Sequence, residues 1–310
     1  MTKSSFEKSI GIIGLGVLGS AIAKNFIDKN ISISGYDINE KVFEGLKSNK
    51  IKAYDSIDEI SDKCEIIITS LPSEASLINV GKSLSKNDKL IIIETSTLPL
   101  DCKLEAKNIL LEKKITIFDA PLSGNRIAAL EGKLSAYLSG CDKNKKEVKK
   151  ILEIFCQKVT DVGDFGNGTI MKLIGNILNL VHNAVSAEVI GLGIKSGLDP
   201  KIIHDAISGT FSSSGVFENR GKLMVEEDYN REGMNFSTPI KDSAFITDLS
   251  KKYMMPLPIY QVALQYYYAA VAQGHFNKEK RVASVITYTS DLIWGSISRL
   301  GSLDSISRSI

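Results

Sequence analysis

Apolar residues in the first half of the chain come in short, nearly unbroken runs; in the second half they recur at helical spacing. Ile10–Gly14, Ile31–Tyr36, Glu65–Ser70 and Lys89–Glu94 read as strands, and Ile115–Asp119, Leu134–Ser139 and the neighbourhood of Val159 as further ones. Among the intervening stretches, Ser20–Lys29, Leu100–Glu112 and Lys145–Phe155 read as helices. Such alternation predicts an α/β fold, a doubly wound and mostly parallel sheet covered on both faces. After about Val162 the pattern changes. The turn-rich GDFGNG segment leads into predicted helices at Thr169–Ser196, Pro200–Ser208, Phe236–Met254 and Leu257–Gln273. We therefore expect two domains, residues 1–165 with the sheet and residues 166–310 all helical.

One predicted helix carries an unusual seam. Lys172, Asn176, Asn179 and Asn183 follow one another at i, i+4, i+7 and i+11, sharing an arc of roughly 60° on an otherwise apolar helix. A lysine flanked by carboxamides on a buried face is costly unless it has partners or work to do. This helix approaches membrane-spanning length, but Lys172, His182, Glu188 and its asparagines would be expensive in lipid.

Composition narrows the field. With 38 Lys and Arg against 36 Asp and Glu spread along the chain, the net charge is only +2, which argues against a nucleic-acid or membrane-surface binder. Cys64, Cys102, Cys141 and Cys156 are widely spaced with no CxxC pair, as expected of free thiols in a reducing compartment. The three histidines lie far apart and make no metal signature. The opening MTKSSFEKS lacks the apolar core of a signal peptide, so a cytoplasmic protein is the expectation.

The first strand runs directly into Gly14-Leu15-Gly16-Val17-Leu18-Gly19 and then a helix. In that context the first glycine permits the tight turn, the second lets a pyrophosphate approach the backbone, and the third lets helix pack on strand. Amides at the helix N-terminus then face the phosphates. Asp37 ends the second strand, where a carboxylate accepts hydrogen bonds from ribose hydroxyls and repels a 2′-phosphate. The cofactor expected is NAD, with NADP possible because Lys41 is near. Further strand ends would line the same cleft: Ser70-Leu71-Pro72-Ser73, Glu94-Thr95-Ser96-Thr97-Leu98-Pro99, and Asp119-Ala120-Pro121-Leu122-Ser123-Gly124-Asn125-Arg126. The last offers amides and a hydroxyl that could cradle a carboxylate.

Taken in order, IGIIGLGVLGSAIAKN, SLP, ETSTLP, DAPLSGNRIAALEGKLSAYLSG, GNGTIMKLIGN, SGLDP and PIKDSAFITDLS resemble the β-hydroxyacid dehydrogenase family, typified by 3-hydroxyisobutyrate dehydrogenase and tartronate semialdehyde reductase. The resemblance implies a Rossmann-type domain, a long interdomain helix, and a helical second domain that usually dimerises, so a homodimer or homotetramer is expected. It makes Lys172 the catalytic acid/base and Asn176 a substrate contact. Ser123 and Gly124 match the positions that bind the substrate carboxylate. Leu71, Pro72 and Thr97 match cofactor contacts, and Lys241 matches a lysine reaching the cofactor from the second domain.

The chain departs from the family pattern in several places. Asn125 stands where a second glycine is usual, Gly175 where an asparagine precedes Asn176, and Glu94 opens the usual DxST pattern. A motif near the end is stretched into Gly274-HFNKEKRVA-Ser284. Arg126 could grip a second acidic group on the substrate, or simply face solvent at a helix start. The reaction implied is hydride transfer between a small 3-hydroxyacid and the nicotinamide, with Lys172 taking the hydroxyl proton. A lysine of ordinary basicity is a poor base at neutral pH, so partial burial would have to lower its pKa. An imine reductase typically replaces this lysine, and a non-catalytic relative would be expected to lose it. A 6-phosphogluconate-type enzyme would need a longer second half.

Overall fold

The computed structural model describes residues 8–46, 48–226 and 237–272. Phe236, Gln273 and the Gly274–Ser284 stretch, which entered the sequence reading, lie outside them. The chain falls into two compact units, Met1–Leu173 and Ile174–Ile310.

The first unit is built on six parallel strands: β1 (Ile10–Ile13), β2 (Ile33–Tyr36), β3 (Ile51–Ala53), β4 (Ile66–Thr69), β5 (Ile91–Glu94) and β6 (Thr116–Asp119), in the order β3-β2-β1-β4-β5-β6. Between them run α1 (Val17–Asp28), a 3₁₀ turn at Glu40–Leu46, α2 (Ile57–Lys63), α3 (Glu74–Ser83) and α4 (Leu100–Glu112). Strands covered on both faces must be apolar on both, which is why β4 and β5 read IIIT and IIIE. Successive isoleucines go to opposite sides. Ile66, Ile68, Ile91 and Ile93 pack under α1 with Ile22 and Phe26, whereas Ile67 and Ile92 join Val80 and Leu110 on the other face. Each such side chain, fully buried, contributes roughly 1.5–3 kcal/mol. Ser56 and Ser73 start α2 and α3 by accepting from the amides of Glu59 and Ser76 at 3.1 and 3.2 Å.

Strand order reverses between β1 and β4, so the crevice beyond their carboxyl ends is the expected ligand site of this sheet. Leu134–Ser139 and the Val159 neighbourhood do not extend the parallel sheet. They form a separate three-stranded sheet: β7 (Leu122–Ser123) antiparallel to β8 (Leu134–Leu138), and β8 parallel to β9 (Cys156–Asp161). The cause is the turn after β6, which leads through β7 into the short α5 (Arg126–Leu130) and returns the chain as β8; α6 (Lys145–Leu152) then covers it.

Helix α7 (Asn167–Lys195) carries the division between the units. By length and composition it is one described helix apolar enough to cross a membrane. The second unit continues with α8 (Pro200–Ile207), a π-helical turn at Phe217–Gly221 running into α9 (Lys222–Val225), α10 (Ser237–Lys252) and α11 (Pro258–Ala270). Asp199 caps α8 by accepting from Lys201 N at 2.7 Å, ahead of Pro200 in the first turn. Asn183 Nδ2 donates to the buried Tyr267 hydroxyl at 3.0 Å and so ties α7 to α11.

Candidate active site

The glycine-rich turn has the geometry that its sequence demands. Gly14 has a φ of +88°, and a side chain there would meet Ser70 O at 2.3 Å. At Gly19 an added Cβ would lie 1.9 Å from Gly14 O, so α1 rests directly on the turn. Gly16 is different: nothing lies within 4 Å of where its Cβ would be. That open cradle sits at the N-cap of α1, which carries no side-chain cap. The first helical amides, those of Val17, Leu18 and Gly19, have no acceptor within the helix and are disposed to meet an anion.

Asp37 stands at the end of β2, half-buried, where its Oδ2 accepts from Leu15 N at 2.7 Å and its Oδ1 from Asn39 N at 2.8 Å. Two amides thus hold the carboxylate beside the turn, with further lone pairs left to accept hydroxyl donors. Together the cradle at Gly16, the exposed helix start and the fixed Asp37 fit a dinucleotide.

The neighbouring strand ends converge. Leu71 N donates to Ser96 Oγ at 2.7 Å and Thr95 Oγ1 donates to Thr69 O at 2.7 Å, tying the turn after β4 to the turn after β5. Leu71, exposed Pro72 and half-buried Thr97 therefore belong to one loop cluster. Ser123 lies in β7, and Gly124 follows with a φ of +138°. Asn125, the departure from the glycine pair, caps α5 by accepting from Ala128 N at 2.9 Å, and Arg126 opens that helix half-buried.

Beneath these loops lies a charge cluster that the sequence reading did not identify. Lys103 of α4 is completely buried, with Nζ 2.7 Å from Asp119 Oδ1 and 3.7 Å from Glu94 Oε1, both carboxylates also fully buried. Lys103 Nζ further donates to Ser96 O at 2.7 Å. Glu94 accepts from Ser96 N at 2.7 Å and from the Thr69 hydroxyl. Asp119 Oδ2 accepts from Thr169 N at 2.7 Å, and Oδ1 from Thr169 Oγ1 at 3.0 Å. A signal was available: β5 and β6 are apolar runs that each end on an acid. Their common partner on α4 was not legible.

Lys172 lies one turn beyond Thr169 on α7 and is half-buried. Asn176 and Lys241 belong to the second unit. There Asn176 Nδ2 donates to buried Asp242 Oδ2 at 2.8 Å. Lys241 Nζ lies 3.2 Å from Asp242 Oδ1 and 5.3 Å from the Phe245 ring centroid. Of the remaining seam, Asn183 bonds Tyr267 and Asn179 is exposed. Among the described residues no group of acids, cysteines and histidines could hold a metal ion.

Residues 9–163 match the family described as the NAD binding domain of 6-phosphogluconate dehydrogenase, which is half of the chain. Residues 166–288 match the NAD-binding domain of NADP-dependent 3-hydroxyisobutyrate dehydrogenase. The chain belongs to the β-hydroxyacid dehydrogenase family. This oxidoreductase is 29% identical to L-threonate dehydrogenase of Pectobacterium atrosepticum, over 89% of its own length and 93% of the relative's. It is 26% identical to 2-(hydroxymethyl)glutarate dehydrogenase of Eubacterium barkeri, over 86% and 91%. Its fold is that of the Mycobacterium tuberculosis 3-hydroxyisobutyrate dehydrogenase solved with L-serine, with a TM-score of 0.81 at 20% identity, covering 91% of this chain and 99% of that one. An imine reductase from Streptomyces aurantiacus shares the fold more distantly, with a TM-score of 0.62 at 15% identity, over 91% and 99%. The enzyme binds NAD(P) and acts on a CH–OH group.

Proposed function

We propose that the enzyme interconverts a small 3-hydroxyacid and its carbonyl form with NAD, using Lys172 as general acid/base. The carrying observation is that Asp119 holds both ends of the chemistry. It anchors the first turn of α7, which bears Lys172, and three residues later the chain enters the Leu122-Ser123-Gly124 segment. A nicotinamide dinucleotide held at the Gly16 cradle and Asp37 would supply the hydride acceptor for oxidation and the hydride donor for reduction. Ser123 Oγ and the backbone amides of the Ser123-Gly124 turn bind the substrate carboxylate. Asn176 orients the hydroxyl by donating to its oxygen, since Asp242 engages only one of the two Nδ2 protons. In oxidation Lys172 Nζ takes the hydroxyl proton while the C–H bond breaks with its electron pair; in reduction it returns the proton. Asp37 favours NAD over NADP because a 2′-phosphate would meet its carboxylate.

A homo-oligomer is part of this reading. Ile174, Leu178, Val185, Val189 and Leu192 are exposed, and their spacing sets them within roughly 60° on α7, on the side away from the polar seam. An exposed apolar stripe of that extent is characteristic of an interaction surface.

The test is a panel of L-threonate, 3-hydroxyisobutyrate and 2-(hydroxymethyl)glutarate with NAD and NADP, and of tartronate semialdehyde and cyclic imines with NADH and NADPH, followed by absorbance of the reduced nicotinamide. Turnover of a 3-hydroxyacid with NAD is expected. Turnover of imines alone overturns the reading.

A further inference from the structure

We propose that the buried Glu94–Lys103–Asp119 network is a positioning device that sets the direction of Lys172 against the cofactor loops. The inference rests on the assignment of Lys172 as the acid/base.

Burying three charges is seldom a route to stability, since apolar residues of similar volume commonly do as well or better. Here the burial is complete and the hydrogen bonding is thorough. Lys103 Nζ reaches Asp119, Glu94 and Ser96 O, and both Glu94 oxygens accept, one from Ser96 N and one from the Thr69 hydroxyl. The two Asp119 oxygens divide Lys103 Nζ, Thr169 N and Thr169 Oγ1, with Ser139 Oγ at 3.3 Å from Oδ2. A network satisfied in this way is rigid and specifies one arrangement of everything it touches.

What it touches is the site. Glu94 and Lys103 grip the backbone of Ser96, whose hydroxyl in turn accepts from Leu71 N, so both cofactor-side turns hang from it. Asp119 takes the N-terminus of α7, and Ser139 Oγ accepts from Gly168 N at 3.0 Å. Asp119 faces the positive end of that helix dipole. Contact at the helix start is close: a Cβ on Gly168 would lie 2.4 Å from Tyr137 O and 2.8 Å from Asp119 O. The start of α7 therefore has little room to tilt, and Lys172, three residues after Thr169, inherits its direction. Displacements near 1 Å are enough to cost catalysis by orders of magnitude.

Thr169→Val removes one donor to Asp119 at constant shape, and Thr169→Ser restores it. Thr169→Val is expected to lower kcat about tenfold and move the Lys172 limb of the pH profile, with KM for NAD changed less than twofold and the thermal midpoint held. Thr169→Ser recovers kcat to within about threefold of wild type. Lys103→Met is expected to lower kcat further; should it fail to fold, the Thr169 pair decides. Wild-type kcat and pH profile in Thr169→Val overturn the proposal, as does a loss of kcat that serine does not rescue or that follows a lowered thermal midpoint. If the wild-type protein turns over no hydroxyacid, the assignment of Lys172 fails instead. Amide exchange over Gly168–Leu173 then tests the anchor alone: at least tenfold acceleration in Thr169→Val supports it, and unchanged exchange overturns it.

Discussion

The three glycines of the β1–α1 turn are predicted to separate stability from cofactor binding, because an added methyl group meets a different environment at each. At Gly19 it would lie 1.9 Å from Gly14 O and 2.9 Å from Gly14 C, both backbone atoms. Relief requires α1 to move off the strand, and forcing an extra methyl group into a packed core costs about 1–3 kcal/mol or more. Taking the upper end, about 3 kcal/mol, Gly19→Ala should lower the melting temperature by roughly 6–12 °C. At Gly16 nothing lies within 4 Å and φ is −65°. Alanine is a poorer N-cap than glycine by up to about 1 kcal/mol, and restricting the unfolded chain returns about 0.4–1 kcal/mol. The stability of Gly16→Ala should therefore stay within about 1 kcal/mol of wild type. Its methyl group would occupy the cradle through which a pyrophosphate approaches the backbone. A loss of about 100-fold in NADH affinity, about 2.8 kcal/mol, is expected. Thermal melts of the cofactor-free protein, paired with NADH fluorescence titration, read both quantities. NADH binding by Gly16→Ala within threefold of wild type would refute the reasoning, and so would a melting temperature as low as that of Gly19→Ala.

Other expectations follow from the same geometry. Lys172→Ala should retain NADH binding while turnover falls by several orders of magnitude; near-wild-type steady-state rates would remove Lys172 from the acid/base role. Asp37→Asn should raise kcat/KM with NADP relative to NAD, and an unchanged ratio would show that Asp37 does not discriminate. Burial pushes the Cys156 thiol up to about 12, and burial together with the Glu74, Glu105 and Glu94 charges pushes Cys102 up to about 11, whereas Cys141 is exposed. Brief alkylation near pH 8 should thus label Cys141 first, as read by peptide mass spectrometry. The same buried thiols stay neutral in the folded state but ionise at about pH 8.5–9 once unfolded. Their contribution is present below that pH and lost as pH rises towards 11–12, so urea midpoints should fall across that window. Leu178→Asp with Leu192→Asp should convert the proposed oligomer to monomers in light scattering, and an unchanged mass would overturn the assignment of the α7 stripe as its interface.

Legibility in the sequence followed how local each cause is. The isoleucine runs of β4 and β5 and the glycine turn after β1 carry their own signal, because burial on both faces and a tight turn each demand particular residues within a few positions. The 29-residue helix α7 was equally plain. β3 was not: three residues, IKA, with two of them exposed, leave no pattern to read. The pairing of β7, β8 and β9 into a second sheet was not legible, because periodicity reports that a segment is a strand and not which strand it pairs with. Lys103 shows the same limit at the level of the site. A lysine on an amphipathic helix ordinarily belongs to the solvent face, and its partners here stand nine residues before it and sixteen after it. What made burial tolerable was the arrival of two strand ends and a helix start at one point, a condition of topology rather than of spacing. Glu94 and Asp119 sit at adjacent strand ends in register with one another, Glu94 opposite Asp119. The sheet places the two acids side by side, and Lys103 Nζ reaches both of them. The acid that ends β6 is then free to hold α7 with its remaining lone pairs, and in this way the sheet's own register reaches Lys172, the proposed acid/base.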